Sequence, residues 1–436
     1  MTDHRPDATP ALSPLEPHGL GQEVERILLA GKSTLPMLAA SSSAVKNEFL
    51  VALAGLLRQQ AGAVLEANAR DVANAAQLGR SPALLDRLRL DPARLEALAK
   101  SVLEIVTLPD PVGQITRGDL RPNGLEVRRQ RVPIGLIGMI YEARPGVTVE
   151  AAALAVKAGN AVVLRGGSES QHSNDALAAL VRQALTATGL PADAVQVPAT
   201  YDRGLVDVLV GRAGGLDLVI PRGGTALIDA VSRAARVPVI QHYQGICHIY
   251  VDQSADLVMA AAIAVNAKAQ RPGVCNAMEA LLIDSAIAAE AVPLLVAALQ
   301  EAGVEVRGCA RTIALAGPGV VAAENQDYGC EFLDLICLCR VVDGLPAALE
   351  HIRQFGSRHT EAIITRDLPR AREFVTGVDA SCVLVNASTR FNDGGCLGLG
   401  AEIGISTNKL HAFGPMGLEA LTVERFVVFG QGQVRK

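Results

Sequence analysis

The sequence contains no tryptophan and few other aromatic residues, so aromatic rings can fill little of its interior. Aromatic residues make up 3% of the 436 positions, whereas hydrophobic residues as a group make up 50%. The core must therefore be built from Ala, Leu, Val and Ile. A chain of this length exceeds what one simple core accommodates, which predicts two or three domains.

The chain also lacks a basic field and a long apolar run. Its formal net charge is −5 at pH 7 and it has no polybasic segment, which argues against a nucleic-acid partner. The longest apolar runs are interrupted by charge or proline, as at Glu290 and Pro293, well before the length of a membrane span. The N-terminus has no basic segment followed by an apolar one, so we expect no secretory signal and no membrane partner.

The eight cysteines include no CxxC pair, which argues against a zinc site. In a large chain without a secretory signal, we expect reduced thiols and a cytoplasmic location. His242 and His248 suggest a metal ligand or a base, but they lie six residues apart with no third ligand nearby. Because a catalytic zinc needs three protein ligands, structural or hydrogen-bonding roles are favoured and no metal is expected.

The first part of the chain is predicted to be helical after a polar leader. Residues 1–18 have little apolar content, which predicts a disordered leader. Between residues 20 and 76, apolar side chains recur at helical spacing. Ser81-Pro82 and Asp91-Pro92 each predict a capping residue followed by a first-turn proline.

From Val132 onward, continuous apolar strands alternate with helices, and the alternation resumes in a second unit from Ala280. This rhythm predicts parallel sheets covered on both faces. Residues 123–131 alternate only weakly and carry charge at their outer positions, which favours an exposed ribbon at a subunit contact. The strand-like tail, residues 421–429, is a candidate partner for this ribbon.

The most informative cysteine lies in the segment from Lys268 to Glu279, between a predicted helix and a predicted strand. Pro272-Gly273 ends the helix, so Cys275 lies on a turn where a thiol can face a cleft. Lys268 and Arg271 are close in sequence and would favour its thiolate. This layout predicts a nucleophile. The alternative is that Cys275 is one more small buried hydrophobic residue.

Two glycine-rich turns each end a predicted strand and begin a predicted helix, which is a device for binding phosphate. Arg165 adds a fixed charge to the first turn, and no acid stands at Ser168 to repel a ribose 2′-phosphate. A tight strand–helix turn explains either double glycine at least as well, and no GxGxxG fingerprint is present. The residues concerned are Arg165, Gly166, Gly167 and Ser168 in the first turn, and Gly223, Gly224 and Thr225 in the second.

Several long motifs carry a family resemblance, and they are Val132–Pro145, Gln270–Asn276, Val385–Gly395, Gly398–Glu402 and His411–Ala420. Taken together, they resemble those of γ-glutamyl phosphate reductase, the glutamate-5-semialdehyde dehydrogenase of proline biosynthesis in the aldehyde dehydrogenase superfamily. The resemblance runs from about residue 20 to the end of the chain.

The resemblance implies an α/β fold with two open doubly wound domains and a small β ribbon for oligomerisation. It places a cofactor-binding domain at residues 19–117 and 133–254 and a catalytic domain at 255–401. The ribbon and tail are placed at 118–132 and 402–436. A homo-oligomer, a dimer or larger, is expected.

The same resemblance implies roles for individual residues. Cys275 is the nucleophile, and Arg165 takes the place of the family's adenosine-ribose lysine. Ser168 replaces the acid that many NAD-using relatives place on the ribose, which fits NADPH. Gly223, Gly224 and Thr225 match the turn at the pyrophosphate. Glu331 matches the carboxylate that holds the nicotinamide ribose, although such a carboxylate is by itself most often a surface residue.

Two departures from the wider superfamily favour reduction over oxidation. Tyr141-Glu-Ala143 stands where the superfamily has its oxyanion asparagine, and the general-base glutamate is replaced near Gln241-His-Tyr-Gln244. An oxidising dehydrogenase needs that base to drive water onto a thioester, and a reductase does not. The resemblance implies L-glutamate 5-phosphate as the substrate, and we expect its NADPH-dependent reduction through a cysteine thioester. The alternatives are a general aldehyde dehydrogenase and a non-catalytic scaffold that binds the kinase making the acyl phosphate.

The remaining candidate residues surround this chemistry. The backbone amide of Cys275 is the first candidate donor to a tetrahedral oxyanion, and the Asn276 side chain is the second. Lys268 and Arg271 are candidates for the leaving phosphate, or solvated surface residues. Finally, Arg390 and Asp393 are candidates for the substrate α-carboxylate and α-amine, or ordinary polar loop residues.

Overall fold

Residues 17–241 and 244–435 are described by the computed structural model, in which the chain divides into two units. Unit 1 contains Met1–Val239 and Leu421–Lys436, and unit 2 contains Ile240–Ala420. The predicted leader lies outside the described residues as far as residue 16. The first helix begins at Pro17, so the end of the predicted leader is helical.

Unit 1 is helical at its start and then alternates strands with helices. Its helices are α1 (Pro17–Ala40), α2 (Ser43–Gln59), α3 (Ala61–Gln77), α4 (Pro82–Leu88), α5 (Pro92–Thr107), α6 (Gly146–Lys157), α7 (Gln171–Ala187), α8 (Gly204–Gly211) and α9 (Thr225–Ala234). Both predicted caps are confirmed, because the side chain of Ser81 accepts a hydrogen bond from Leu84 N and that of Asp91 from Arg94 N.

Two sheets belong to unit 1. The strands are β1 (Ile115–Leu120), β2 (Glu126–Pro133), β3 (Leu136–Tyr141), β4 (Ala161–Arg165), β5 (Val195–Gln196), β6 (Leu218–Arg222) and β16 (Thr422–Phe429). A parallel sheet has the order β5-β4-β3-β6, and an antiparallel ribbon has the order β1-β2-β16. Thr422 lies opposite Pro133 and Phe429 lies opposite Glu126, so the predicted pairing of the tail with the ribbon is confirmed.

Unit 2 is built on one seven-stranded parallel sheet and a separate pair of short strands. The strands of the unit are β7 (Cys247–Val251), β8 (Met278–Asp284), β9 (Glu305–Gly308), β10 (Val321–Ala322), β11 (Ile336–Val342), β12 (Thr360–Ile364), β13 (Cys382–Val385), β14 (Gly404–Ser406) and β15 (Gly414–Met416). The order in the large sheet is β10-β9-β11-β8-β7-β12-β13, and β14 and β15 form a separate antiparallel pair. Its helices are α10 (Leu257–Ala269), α11 (Ala288–Glu301), α12 (Ala310–Ala316), α13 (Gly344–Phe355) and α14 (Leu368–Gly377).

The division between the units differs from the boundary predicted at residues 254 and 255. Strand β7, which the prediction assigned to the cofactor-binding domain, pairs with β8 and β12 inside the sheet of unit 2. Residues 402–420 also belong to unit 2, and only the last segment joins the ribbon in unit 1. A buried parallel strand looks the same in sequence whichever sheet it enters, so the apolar pattern did not indicate this pairing.

The buried core is built mainly from aliphatic side chains, as the low aromatic content of the sequence predicts. Strands β3, β4 and β8 are buried along their whole lengths, as strands covered on both faces should be. Helix α6 packs against β3 and β4, and its residues Ala151, Ala152, Ala153 and Ala155 are buried. Their small side chains allow close approach of helix and sheet without aromatic filling. Among the described residues, no single helix has the length and hydropathy to cross a bilayer. Helices α2 and α3 pass that test only together, bent by 69°, on length and composition.

Candidate active site

The nucleophile predicted from the sequence lies on a turn within unit 2. Helix α10 ends at Ala269 and β8 begins at Met278, and Cys275 lies between them. Proline and glycine at 272 and 273 are in the turn, where they prevent continuation of the helix. The Cys275 side chain is a half-buried thiol, whereas its neighbour Asn276 is buried. The turn therefore holds a cysteine that is not enclosed in the core.

A glycine presses against the backbone of this cysteine. A Cβ atom on Gly245 would lie 1.9 Å from the carbonyl oxygen of Cys275, so any other residue would displace the turn. The N–H of Gly245 donates to Oε1 of Glu331 at 2.8 Å. Burial raises the pKa of Glu331, and this hydrogen bond and Lys268 oppose the increase. The structure thus brings Glu331 and Cys275 together through one glycine.

The Asn276 side chain faces the chain beyond β13. Its Nδ2 donates to the carbonyl oxygen of Asn392 at 2.9 Å and to that of Arg390 at 3.4 Å. Its N–H groups are therefore engaged in holding the turn. A role as oxyanion donor stays a prediction for Asn276, and the backbone amide of Cys275 stays the first candidate.

Lys268 is fully buried, so the alternative that it is a solvated surface residue is wrong. Its Nζ lies 2.6 Å from Oε2 of Glu279, which is also buried. Burial raises the pKa of Glu279 to about 7 against the opposing effect of Lys268. Arg271 is exposed. Of the two cations predicted for the leaving phosphate, Arg271 is open to a solute and Lys268 is engaged with a carboxylate.

The two candidates for the substrate's amino-acid end have contacts within unit 2. Nε of Arg390 donates to Oε1 of Gln270 at 2.9 Å, which places Arg390 beside the segment leading to Cys275. Oδ1 of Asp393 accepts from the N–H groups of Gly395 and Cys396 at 3.0 and 3.2 Å. Arg390 is therefore near the turn, whereas Asp393 caps its own loop.

The first glycine turn belongs to unit 1, at the end of β4. Arg165 is 7% exposed and donates to the carbonyl oxygens of Gly166, Tyr201 and Asp202. Burial lowers its pKa. Gly166 and Gly167 are buried as well, and Ser168 is exposed.

The helix after this turn already has an anion at its N-terminus. Oδ2 of Asp71 accepts from Ser173 N at 2.8 Å, and Oδ1 accepts from His172 N at 3.2 Å. The expectation that this helix start favours an anion is thus met by a carboxylate of the chain itself.

The second glycine turn, at the start of α9, is exposed at Gly223, Gly224 and Thr225. The N-cap residue is Gly224, which has no side chain with which to cap the helix, and its N–H donates to Oε2 of Glu142 at 3.1 Å. Exposed N–H groups at a helix start are a phosphate-binding arrangement. The two similar motifs therefore differ in their availability to a ligand.

Of the two histidines considered as metal ligands, the structure describes one. His248 is buried, and its Nδ1 lies 2.9 Å from Oε2 of Glu361 on the neighbouring strand β12. This agrees with the favoured hydrogen-bonding role. His242 lies outside the described residues.

Comparison with known proteins decides the family. A model described as aldehyde dehydrogenase family matches residues 17–312. The chain is 52% identical over 420 residues to γ-glutamyl phosphate reductase from Anaeromyxobacter sp. (strain Fw109-5), which covers 96% of this chain and 98% of that relative. This chain belongs to the γ-glutamyl phosphate reductase family.

Solved structures agree with this assignment. The crystal structure of γ-glutamyl phosphate reductase from Thermotoga maritima superimposes with a TM-score of 0.93 at 44% identity, over 95% of this chain and 100% of that one. An acetylating aldehyde dehydrogenase from Geobacillus thermoglucosidasius has a TM-score of 0.68 at 18% identity, which shows a shared fold. The resemblance and the fold class predicted from the sequence are confirmed.

Membership of these families implies a nicotinamide cofactor for this γ-glutamyl phosphate reductase family member. The residues at the start of α9 fit its pyrophosphate, because Gly223, Gly224 and Thr225 are exposed at a helix start whose N-cap residue is a glycine. Although Gly223 is exposed, a Cβ there would lie 2.5 Å from Oε2 of Glu142. A side chain at this position would therefore displace the carboxylate of Glu142.

Sequence reasoning missed three residues that shape these sites. Gly245 is a single glycine after Gln244, and Asp71 lies in the middle of α3, so neither carries a local signal. Glu142 lies inside the motif that carried the family resemblance, but its contact with Gly224 spans 82 positions. The missing information was which distant segments meet.

Proposed function

We propose that this chain reduces L-glutamate 5-phosphate (γ-glutamyl phosphate) to L-glutamate 5-semialdehyde and phosphate, using NADPH, in L-proline biosynthesis. The family assignment supports the reaction. The observation that carries the mechanism is the half-buried Cys275 thiol on a turn fixed by Gly245, with Glu331 beside it.

The chemistry is covalent catalysis by Cys275. Its thiolate attacks the acyl carbon, the C–O bond to phosphate breaks, and phosphate leaves with the bonding electrons. A thioester on Cys275 remains. When bound, NADPH supplies the hydride that reduces this carbonyl carbon. The thiohemiacetal oxyanion then collapses, which releases the aldehyde and restores the thiolate. The product's own amine can close on the aldehyde to give pyrroline-5-carboxylate.

Residues of the chain support each stage. The amide of Cys275 is the proposed donor to the oxyanion, and the loss of one such donor typically costs roughly 10²–10³-fold in rate. Exposed Arg271 and the nearby Arg390 are proposed to hold the anionic groups of the substrate, since guanidinium groups pair well with phosphate and carboxylate. Lys268 and Asp393 remain weaker proposals because each is engaged within the chain.

Each part of NADPH has its own set of proposed contacts. Gly223, Gly224 and Thr225 would hold the pyrophosphate, and Glu331 the nicotinamide ribose. Arg165, Gly166, Gly167 and Ser168 would lie at the adenosine ribose, where the absence of an acid at Ser168 suits a 2′-phosphate. The buried guanidinium of Arg165 would act mainly as a fixed charge and scaffold, since it already bonds three carbonyl groups.

We also propose a cytoplasmic homo-oligomer, a dimer or larger. The cysteine side chains are thiols, which suits a reducing compartment. The ribbon presents Phe426 and Phe429 to solvent, and such side chains suit a subunit contact. A contact with glutamate 5-kinase would protect the labile acyl phosphate, and it is a proposal from the chemistry alone.

Running the reaction backwards tests the proposal. Reduction of NADP⁺ by the semialdehyde should require inorganic phosphate, because phosphate must cleave the thioester. A general aldehyde dehydrogenase would release the acid without phosphate, and a scaffold would show no turnover. Phosphate-independent reduction of NADP⁺ at a comparable rate would therefore contradict the proposal.

Replacing the nucleophile tests the mechanism. Cys275→Ser should abolish turnover while NADPH binding, measured by fluorescence titration, stays nearly intact. Cys309→Ser is the matched control, because Cys309 is another half-buried cysteine of unit 2 that has no assigned role. Equal loss of binding and turnover in Cys275→Ser would mean that the turn is only structural.

A further inference from the structure

A second cysteine lies directly behind the proposed nucleophile. Cys247, the first residue of β7, is fully buried, and its Sγ donates to the carbonyl oxygen of Cys275 at 3.1 Å. Burial raises the pKa of the Cys247 thiol well above its ordinary value, and the carboxylate of Glu361 adds to the increase. Cys247 therefore keeps its proton, and a protonated thiol can donate continuously to the turn.

The hydrogen bonds continue from Cys247 around the turn to its other side. Sγ of Cys247 lies 3.6 Å from Nδ1 of His359, which lies 2.7 Å from Oγ1 of Thr360. That hydroxyl accepts from Nδ2 of Asn392 at 2.8 Å, and the carbonyl oxygen of Asn392 accepts from Asn276 at 2.9 Å. The chain of contacts starts at the carbonyl of residue 275 and returns to the side chain of residue 276.

This closed set of contacts limits how the turn can move. The peptide between Cys275 and Asn276 has a donor at its carbonyl, a tether on its next side chain, and Gly245 pressed against its backbone. Rotation of that peptide would break the contact from Cys247 or collide with Gly245. The Cβ and the carbonyl carbon of Cys275 are bonded to the same Cα atom at a fixed tetrahedral angle. A carbonyl held by Cys247 and a backbone packed against Gly245 therefore restrain that Cα atom and the direction in which its side chain leaves it.

We propose that Cys247 is a positioning residue for the nucleophile, holding the carbonyl of Cys275 so that its thiol keeps the direction needed for attack on an acyl carbon. The inference rests on the proposed function, in which Cys275 forms the thioester. Cys247 does not touch the substrate in this account, and it acts only through the main chain of Cys275. The alternative is that Cys247 only fills space in the core.

A pair of substitutions separates these two accounts. Cys247→Ala removes the donor, and Cys247→Ser keeps a donor of similar size. Cys339→Ala is the matched control for volume, because Cys339 is another fully buried thiol of unit 2, on β11. The assay is the phosphate-dependent reduction of NADP⁺ by the semialdehyde, with kcat and KM measured on the full-length enzyme and the melting temperature of each variant recorded.

The positioning role predicts a split between the two kinetic constants. Cys247→Ala should lower kcat by roughly 10-fold while KM for the semialdehyde changes by less than about 2-fold, because small misplacements of a reacting group slow chemistry more than binding. Cys247→Ser should recover kcat to within about 3-fold of the parent, since a hydroxyl can donate to the same carbonyl. The Cys339→Ala control should keep its kcat.

Three results would overturn the inference: equal losses of kcat in Cys247→Ala and Cys339→Ala, a serine variant no better than the alanine variant, or a rise in KM at constant kcat. If Cys247→Ala does not fold, Thr360→Val interrupts the same contacts from the other side without changing side-chain shape. It should lower kcat by roughly 3-fold, the order expected for one indirect hydrogen bond. A folded Thr360→Val enzyme with unchanged kcat would then contradict the inference.

Failure of this inference is distinguishable from failure of the proposed function. Turnover that survives in Cys275→Ser would remove the thioester mechanism whatever the Cys247 variants show. Loss of turnover in Cys275→Ser together with a fully active Cys247→Ala enzyme would remove only the positioning role.

Discussion

The two glycine turns of unit 1 have similar sequences but present different surfaces. Both follow a strand of the same parallel sheet and both lead to a helix. At the first, Asp71 occupies the amides at the start of α7 and Arg165 is buried among carbonyl groups. At the second, the start of α9 is exposed, and a carboxylate, that of Glu142, accepts from the N–H of Gly224. A double glycine makes backbone amides accessible in principle, but a distant carboxylate decides whether they are available.

Adding a carboxylate to the open helix start gives the largest expected effect. Thr225→Glu should weaken NADPH binding by roughly 10²-fold, because like charges about 4 Å apart near a protein surface repel by several kcal/mol before screening. Thr225→Gln, with the same shape and no charge, should bind far more tightly than Thr225→Glu. Fluorescence titration of NADPH measures both.

The equivalent change at the start of α7, the helix after the first glycine turn, tests the other half of the comparison. His172→Glu adds the same charge to the start of α7, at an exposed position where Asp71 already supplies an anion. Its NADPH affinity should match that of the parent. If His172→Glu weakened binding and Thr225→Glu did not, the pyrophosphate would be assigned to the wrong turn.

Removing the negative charge of Asp71 should lower the free energy of unfolding and leave the affinity for NADPH unchanged. Asp71→Asn leaves a weaker acceptor for the amides of His172 and Ser173, and it also weakens the contact with the Ser173 hydroxyl at 2.6 Å. The free energy of unfolding should fall by about 2 kcal/mol, in the range for a lost buried cap and a charged hydrogen bond. Urea denaturation measures it, with the exposed Glu66→Gln as control. A large loss of NADPH affinity in a folded Asp71→Asn protein would contradict the structural role.

The exposed serine of the first turn tests the cofactor preference. Ser168→Glu places a carboxylate where the ribose 2′-phosphate is proposed to lie, so the preference for NADPH over NADH should fall by roughly 10-fold. Because Ser168 is exposed, the change should leave folding intact, whereas a substitution of buried Arg165 would disturb its carbonyl contacts. Parallel titrations with the two dinucleotides give the ratio. An unchanged ratio would remove this turn from the ribose site.

The same comparison shows which parts of the structure could be predicted from the sequence. The caps at Ser81 and Asp91 and the pairing of the tail with the ribbon follow from signals in short segments, because the interacting groups are neighbours or share an alternating pattern. The proline and glycine after α10 placed Cys275 on a turn, and the double glycine after β6 placed the second glycine turn at the start of a helix. These features need no knowledge of which distant segments meet.

The features that could not be predicted depend on contacts between segments that are distant in the sequence. Asp71 reaches α7 across 101 residues, and Gly245 touches a turn 30 positions later only because β7 and β8 are adjacent in one sheet. The boundary of unit 2 was missed for the same reason. Burial of Lys268 was missed although its partner Glu279 stood in the same motif, because two opposite charges in a sequence do not reveal whether water separates them.

The smallest change in affinity that we expect to measure concerns Glu142, the acid that already touches the second glycine turn. Oε2 of Glu142 accepts from the N–H of Gly224, so a bound pyrophosphate would share that helix start with a carboxylate. Glu142→Gln keeps an acceptor for the N–H and removes the charge. NADPH should therefore bind about 3-fold more tightly, in line with the modest energy of one charge at an exposed helix end. The gain should shrink at high salt, because exposed charges are screened. Weaker binding in Glu142→Gln would mean that this carboxylate orders the turn for the dinucleotide rather than competing with it.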